Sequence, residues 1–190
     1  MGITIAHHYT SLSYVLRTVR QAERLAKERH GKNACVVTVI RRSGEQTSVG
    51  CRWRYDDLKE EEQPIKLFSR FYQLFDQDIL SPKCVHNLLT EAPALIELNQ
   101  KAQQSEIKRV LLRQRDDKKK SLFPNDEAEE LAKRVVQLTH AMDAAKNKQH
   151  EHDIDFKKSI YLHEDRTRYG LIETFGWLLV MTFLARKEQD

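Results

Sequence analysis

The chain has 190 residues, of which 40% are hydrophobic and 32% are charged, with only 6 glycines and 4 prolines. This composition excludes a low-complexity chain and is typical of a charge-rich helical protein. The formal net charge of +4 arises from 32 basic and 28 acidic residues, so it indicates only a mild preference for polyanionic partners.

The cysteines and the longest apolar run indicate the cellular compartment in which the chain is found. Three cysteines without paired spacing (Cys35, Cys51 and Cys84) predict free thiols and a reducing, cytoplasmic environment. The longest apolar run, 175–185, is far shorter than the ~20 residues that a membrane helix needs, so we expect a buried core helix and no membrane partner.

The first half-hundred residues predict a βαββ unit. A short strand begins at Ile3, and a helical period covers 11–29. The β-branched run 34–40 is almost wholly apolar, which is typical of a strand covered on both faces, and 47–53 predicts its hairpin partner. Such a unit cannot bury its own sheet, so further strands have to come from a partner, from a longer parent chain or from later in this one.

The helix over 11–29 has an apolar stripe and a neighbouring basic face. The residues expected to face the sheet are Leu12, Val15, Leu16, Val19, Ala22 and Ala26. The basic face carries Arg17, Arg20, Arg24 and Lys27. It fits a solvated surface as well as a ridge that faces phosphates.

Beyond residue 57 the patterns predict helices. The first helix is expected to bury Ile65, Phe68, Tyr72, Phe75 and Ile79. A second helix begins at 81–82 and is interrupted at Pro93, and a third continues over 94–115. A charged break over 116–121 separates these helices from the last two.

The last two helices have the clearest patterns. Asn125 or Asp126 caps a long helix whose apolar residues alternate at spacings of three and four, which is typical of helix-on-helix packing: Ala128, Leu131, Val135, Leu138, Met142 and Ala145. We expect a polar loop over 146–155. The final helix over 165–186 is apolar almost all round from 171 to 184 and should lie at the centre of the bundle.

Four short stretches occur in an order that resembles a known family. They are GITIAHH at 2–8, AERLAK at 22–27, GKNA at 31–34 and RRSGE at 41–45. The first three resemble the last part of a GGDEF-type cyclase palm. With the fourth, the start of the chain resembles the large subunit of type III (Cmr-type) CRISPR effector complexes, over about the first fifty residues.

The resemblance implies an architecture. It is α+β and mainly α, with a partial ferredoxin-like palm unit over 1–56 followed by a bundle of about five helices over 57–190 that is similar to the small subunit of these complexes. Two origins fit: the C-terminal part of a large subunit, and an internally started product resembling the small subunit.

The family's large subunit is an ATP-dependent cyclic oligoadenylate synthase, and its palm holds two metal ions through paired carboxylates on a hairpin. Asp56–Asp57 and Asp116–Asp117 lack the flanking glycines and apolar strands of such a hairpin. We therefore expect no enzyme activity from this chain alone. No cofactor is expected either, because ATP and a divalent metal would bind only with the rest of the palm present.

Two sets of site residues follow. By resemblance, Lys27 and Lys32 match positions that face triphosphate oxygens in GGDEF-type palms. Gly31 would let the backbone come close and Asn33 would fix the turn, although a plain helix C-cap accounts for the same residues. A second set is basic and would contact a nucleic-acid backbone: Lys108, Arg109, Arg113, Arg115, Lys118, Lys119, Lys120, Lys133 and Arg134. Interspersed acidic residues make a solvated, salt-bridged surface the alternative.

No metal site is predicted. His150–Glu151–His152–Asp153 has ligand-type side chains, but it lies in a polar stretch without an expected second shell.

Three functions remain open. The first is a non-catalytic structural subunit of a CRISPR effector complex, whose partners are other effector subunits, guide RNA and target nucleic acid. The second is a nucleotide cyclase or polymerase half-site that binds ATP and is completed by another chain. The third is a helical protein-interaction module without nucleic acid.

Overall fold

In the computed structural model, residues 1–150 and 169–186 are described. The chain is α+β and mainly helical, with a βαββ unit followed by five α-helices within the described residues, as the sequence predicts. Strand β1 (Gly2–Ala6) leads into α1 (Leu12–His30), which is followed by β2 (Ala34–Ile40) and β3 (Gln46–Arg52). The βαββ unit therefore begins and ends close to its predicted bounds.

The described sheet has three strands in the order β1-β2-β3. Strand β1 is parallel to β2, with Gly2 opposite Val36, and β3 is antiparallel to β2, with Cys35 opposite Cys51. Every residue of β2 is buried, which confirms the prediction that this strand is covered on both faces. All three cysteines are buried and free.

Helix α1 covers one face of the sheet, but its buried stripe of side chains is narrower than the sequence predicts. Ala22 and Ala26 are each 1% exposed and pack on Val36. Leu12 and Leu16 were expected to face inward, yet they are 70% and 48% exposed. Within the described residues the sheet ends at β1, so no further strand lies beneath this side of α1.

The helical part begins after a short 3-10 turn. A 3-10 turn at Glu60–Glu62 precedes α2 (Pro64–Asp76), and α3 (Lys83–Ile96), α4 (Gln100–Arg113), α5 (Asn125–His150) and α6 (Tyr169–Leu184) follow. A second 3-10 segment, Asp117–Leu122, occupies the predicted charged break. Helix α5 continues to His150, so the predicted polar loop is wrong over 146–150, and 151–155 lie outside the described residues.

Two details of the predicted helices are wrong. Helix α2 buries Leu67, Phe71 and Leu74, whereas Ile65 and Tyr72 are on its outer side. Helix α3 runs through Pro93, because this proline lies in the last turn, where only the hydrogen bond to the carbonyl four residues earlier is lost.

The break between α3 and α4 lies at 97–99, whereas the sequence predicts it at Pro93. Asn99 ends the connection, and its Oδ1 accepts a hydrogen bond of 3.0 Å from the N–H of Ala102. Because this cap satisfies an N–H group that has no partner within the helix, we expect Asn99→Ala to lower the free energy of unfolding by about 1 kcal/mol. Urea denaturation measures this loss, and Asn99→Asp, which keeps an acceptor, should restore most of it.

One apolar core joins the sheet to the helices. It contains Cys35 and Val49 from the strands together with Phe71, Leu111 and Phe175 from the helices. Helix α6 contacts β3, α2, α3 and α5, so it lies at the centre, as predicted. The predicted inward residues of α5 from Ala128 to Met142 are all buried. The division at residue 56 stays a prediction.

Candidate functional site

The predicted phosphate-contacting residues lie in and beside the turn from α1 to β2. Gly31 has φ of 80°, a left-handed conformation that suits glycine at the end of a helix. The carbonyl of Asn33 accepts a hydrogen bond of 3.1 Å from the N–H of Trp53, which extends the β2–β3 pairing by one residue pair. Lys27 Nζ is 2.8 Å from Glu23 Oε1, so its charge is already partly neutralised.

The electrostatics of this turn are those of a helix C-terminus. The last turn of α1 carries Lys27 and Arg29, whose positive charges interact favourably with the negative end of the helix dipole. Arg52 Nε donates a 2.9 Å hydrogen bond to the carbonyl of His30. The backbone here presents carbonyl groups, so a phosphate would depend on lysine side chains alone, of which Lys32 is exposed and has no partner among the described residues.

His30 is the most perturbed group near this turn. Its imidazole packs against Gly50, where a Cβ atom would collide with it. Burial lowers the pKa of His30 to about 4, and the neighbouring charges of Arg29, Lys146 and Arg52 act in the same direction. His30 is therefore neutral at pH 7 and serves packing rather than anion binding.

Four of the predicted nucleic-acid contacts are ion-paired within the chain. Lys108 Nζ lies 2.6 Å from Glu129 Oε2, which joins α4 to α5. Arg109 contacts Glu106 and lies 3.6 Å from Glu91 Oε1. The remaining pairs are Lys120–Asp117 at 2.9 Å and Lys133–Glu130 at 3.9 Å. Their positive charge is largely offset by these carboxylates.

Three other predicted contacts bind main-chain carbonyl groups. An Arg115 guanidinium nitrogen donates a 2.7 Å hydrogen bond to the carbonyl of Phe123, and Lys119 Nζ donates one of 2.6 Å to that of Gln77. Arg134 donates to the carbonyl of Glu61, and burial lowers the pKa of its guanidinium. These side chains fix the segments between helices by hydrogen bonds to main-chain carbonyl groups. A neutral carbonyl does not cancel a positive charge, so each side chain stays charged.

Arg113 and Lys118 are the predicted contacts that have no side-chain partner within 1–150 and 169–186. Arg113 lies at a cleft of about 450 Å³ between the α2–α3 connection and the end of α4. The cleft is lined by Asp78, Leu80, Ser81, Pro82, Arg113, Gln114, Arg115 and Asp116. Its two walls are joined by main-chain pairing of Leu80 with Arg115.

The surroundings of this cleft carry an excess of positive charge. Lys83 follows the lining residue Pro82 and is exposed without a partner in the described chain. Five basic side chains therefore lie in or beside the cleft: Lys83, Arg113, Arg115, Lys118 and Lys119. Two carboxylates line the cleft, Asp78 and Asp116, and the latter accepts a 2.9 Å hydrogen bond from the N–H of Lys118. A third, Asp117, lies near Arg115 and is paired with Lys120. The cleft can therefore attract an anion.

Sequence reasoning missed Lys83. It lies 30 residues before Arg113 in the chain, and only the pairing of Leu80 with Arg115 brings the two segments together. The one available signal was its position directly after Ser81–Pro82 at a predicted helix start.

The described residues contain no cluster of three or more histidine, cysteine, aspartate or glutamate side chains able to hold a metal ion. The motif at 150–153 lies outside the described side chains. Within the same residues, no helix has both the length and the apolar character needed to cross a bilayer.

Comparison of the chain with protein-family models, with curated proteins and with solved structures finds no match in any of the three.

Proposed function

We propose that this chain is a non-catalytic structural component of a CRISPR RNA-guided effector complex in antiviral defence, which contacts a nucleic-acid backbone and neighbouring subunits. The observation that carries the proposal is the positively charged cleft at Arg113. The resemblance of 2–45 to the end of a type III large-subunit palm supports the choice of complex.

The chemistry of the cleft suits phosphate groups. A guanidinium presents N–H donors in a planar fork that matches two phosphate oxygens, and Arg113 has no competing carboxylate within the described residues. Lys83 directly follows Pro82 on one wall of the cleft, and Lys118 comes two residues after Asp116 on the other wall. Both therefore add positive charge beside the cleft. No aromatic side chain lines the cleft, so binding should depend on the backbone and little on base sequence.

Two variants on the same helix test the role of the cleft. Arg113→Gln and Arg109→Gln each remove one positive charge from α4, but Arg109 is paired with Glu106 and Glu91 whereas Arg113 is not. We expect Arg113→Gln to weaken binding of a 20-nucleotide single-stranded RNA about tenfold, with a salt slope reduced by about 0.7. Fluorescence anisotropy at several salt concentrations measures both quantities.

Arg109→Gln serves as the matched control and should change the affinity less than threefold. Equal losses from the two variants would contradict a specific role of the cleft. If the unaltered chain does not bind the RNA at low salt, the protein-interaction module becomes the better account. Metal-dependent binding of ATP by the isolated chain, lost in Lys32→Gln, would favour the nucleotide half-site instead.

A further inference from the structure

Strand β1 leaves one row of main-chain groups without partners. The N–H of Val36 donates a 2.9 Å hydrogen bond to the carbonyl of Met1, and alternate residues of a parallel strand bond to the same neighbour. The N–H and C=O groups of Gly2, Thr4 and Ala6 therefore point away from β2. Nothing in the described parts of the chain bonds to them.

The opposite edge of the sheet is protected over its second half. On β3, the N–H of Gly50 donates to the carboxylate of Glu173, which is 6% exposed, and the N–H of Arg52 donates a 3.2 Å hydrogen bond to the hydroxyl of Tyr55. Side chains thus occupy the outer donors in the second half of β3, while β1 has no such cover from the residues described. An edge of this kind is a template for another strand.

Apolar side chains flank the open edge on both faces. Helix α1 lies directly over the start of β1, because a Cβ atom on Gly2 would come within 2.8 Å of the carbonyl oxygen of Val19. Leu12 and Leu16 extend from the same side of α1, two helical turns and one turn before Val19, respectively. On the other face, Ile3 is 36% exposed. A strand added here would find apolar contacts above and below.

The charge beside the edge is positive. Arg20 lies one turn after Leu16 on the same side of α1 and has no partner among the described residues, whereas Lys27 is paired with Glu23. Pairing of β1 with a second copy would bring two Arg20 side chains toward each other, which is unfavourable. The charge therefore favours a different, acidic partner.

We propose that an extended segment of a partner protein, with alternating apolar side chains and acidic residues, adds to β1 as a fourth strand. Main-chain hydrogen bonds to Gly2, Thr4 and Ala6 supply the binding, and Arg20 selects the acidic character. This surface is separate from the cleft at Arg113, so strand addition and RNA binding can succeed or fail independently.

The test uses the full chain and a synthetic eight-residue peptide in which valine and threonine alternate between terminal aspartate pairs. Thr4→Pro removes an outward N–H, which an edge strand tolerates, and Thr4→Val is its control because Thr4 Oγ1 makes no hydrogen bond. We expect Thr4→Pro to weaken peptide binding at least tenfold and Thr4→Val to leave it unchanged. Arg20→Gln should weaken it a few-fold, and a lysine-ended peptide should bind less well.

Hydrogen exchange followed by NMR gives a second readout that needs no variant. The amides of Thr4 and Ala6 should exchange rapidly in the free chain and slowly with the peptide bound. Slow exchange of both amides without peptide would show that the edge is already covered and would overturn the proposal. Equal affinity of the Thr4→Pro and Thr4→Val chains, both folded by circular dichroism, would overturn it as well.

Discussion

Replacing Phe175 by alanine should lower the free energy of unfolding by about 3–5 kcal/mol. Phe175 is fully buried in α6, the helix that contacts the sheet and three other helices. Removing the ring takes away its apolar contacts and leaves a cavity that surrounding elements, fixed on several sides, cannot fill. Urea denaturation followed by circular dichroism measures the loss.

Ile172→Ala is the matched control, because Ile172 lies in the same helix and is 44% exposed. The substitution should lower the free energy of unfolding by less than about 1 kcal/mol, because a partly exposed side chain buries less apolar surface on folding. Similar losses from the two substitutions would contradict the placement of α6 at the centre of the core.

The second large effect is a loss of stability in mild acid that arises from His30. Its pKa is about 4 in the folded chain and 6.5 when unperturbed, so between these values the unfolded chain binds the proton more readily. Stability from this group is present above pH 6.5 and falls as the pH decreases toward 4. The expected loss between pH 7 and pH 5 is about 2 kcal/mol.

The measurement is urea denaturation at pH 7, 6 and 5 for the native chain and for His30→Gln, whose side chain is uncharged throughout. Carboxylates with lowered pKa, such as Glu106 beside Arg109, contribute to both chains alike and cancel in the difference. The His30→Gln chain should lose about 2 kcal/mol less over this range. Parallel pH profiles would contradict the burial of a neutral His30.

Much of the fold could be predicted because single elements carry unambiguous patterns. Strand β2 is apolar at every residue except Thr38, a pattern that is typical of a strand covered on both faces. Helix α5 keeps its apolar spacing of three and four from Ala128 to Met142, so its buried side needs no tertiary information. The apolar run of α6 likewise predicts a central helix.

The errors arose where neighbouring elements decide which side is buried. Helix α2 has a broad apolar side with Ile65 and Tyr72 at one edge of it, so these two residues fit a helical stripe as well as Leu67 and Phe71 do. Leu16 of α1 also fits its stripe, and only the width of the sheet leaves it exposed.

The candidate sites were least predictable, because the availability of a charge depends on distant partners. Lys108 is neutralised by Glu129, 21 residues later, and Arg109 by Glu91 on another helix. Nothing in the local sequence separates these residues from Arg113, which has the same spacing and charge but forms no ion pair among the described residues. The cleft itself depends on the pairing of Leu80 with Arg115, which has no signature in either segment.

Native mass spectrometry of the chain purified from its own cells, without a tag at its start, tests the central claim most directly. The proposed role in an effector complex predicts that repeated protein subunits and a guide RNA are purified with it. One copy per complex would indicate part of a large subunit, and several copies would indicate a role like that of the small subunit. A single species without RNA or protein partners would contradict the claim.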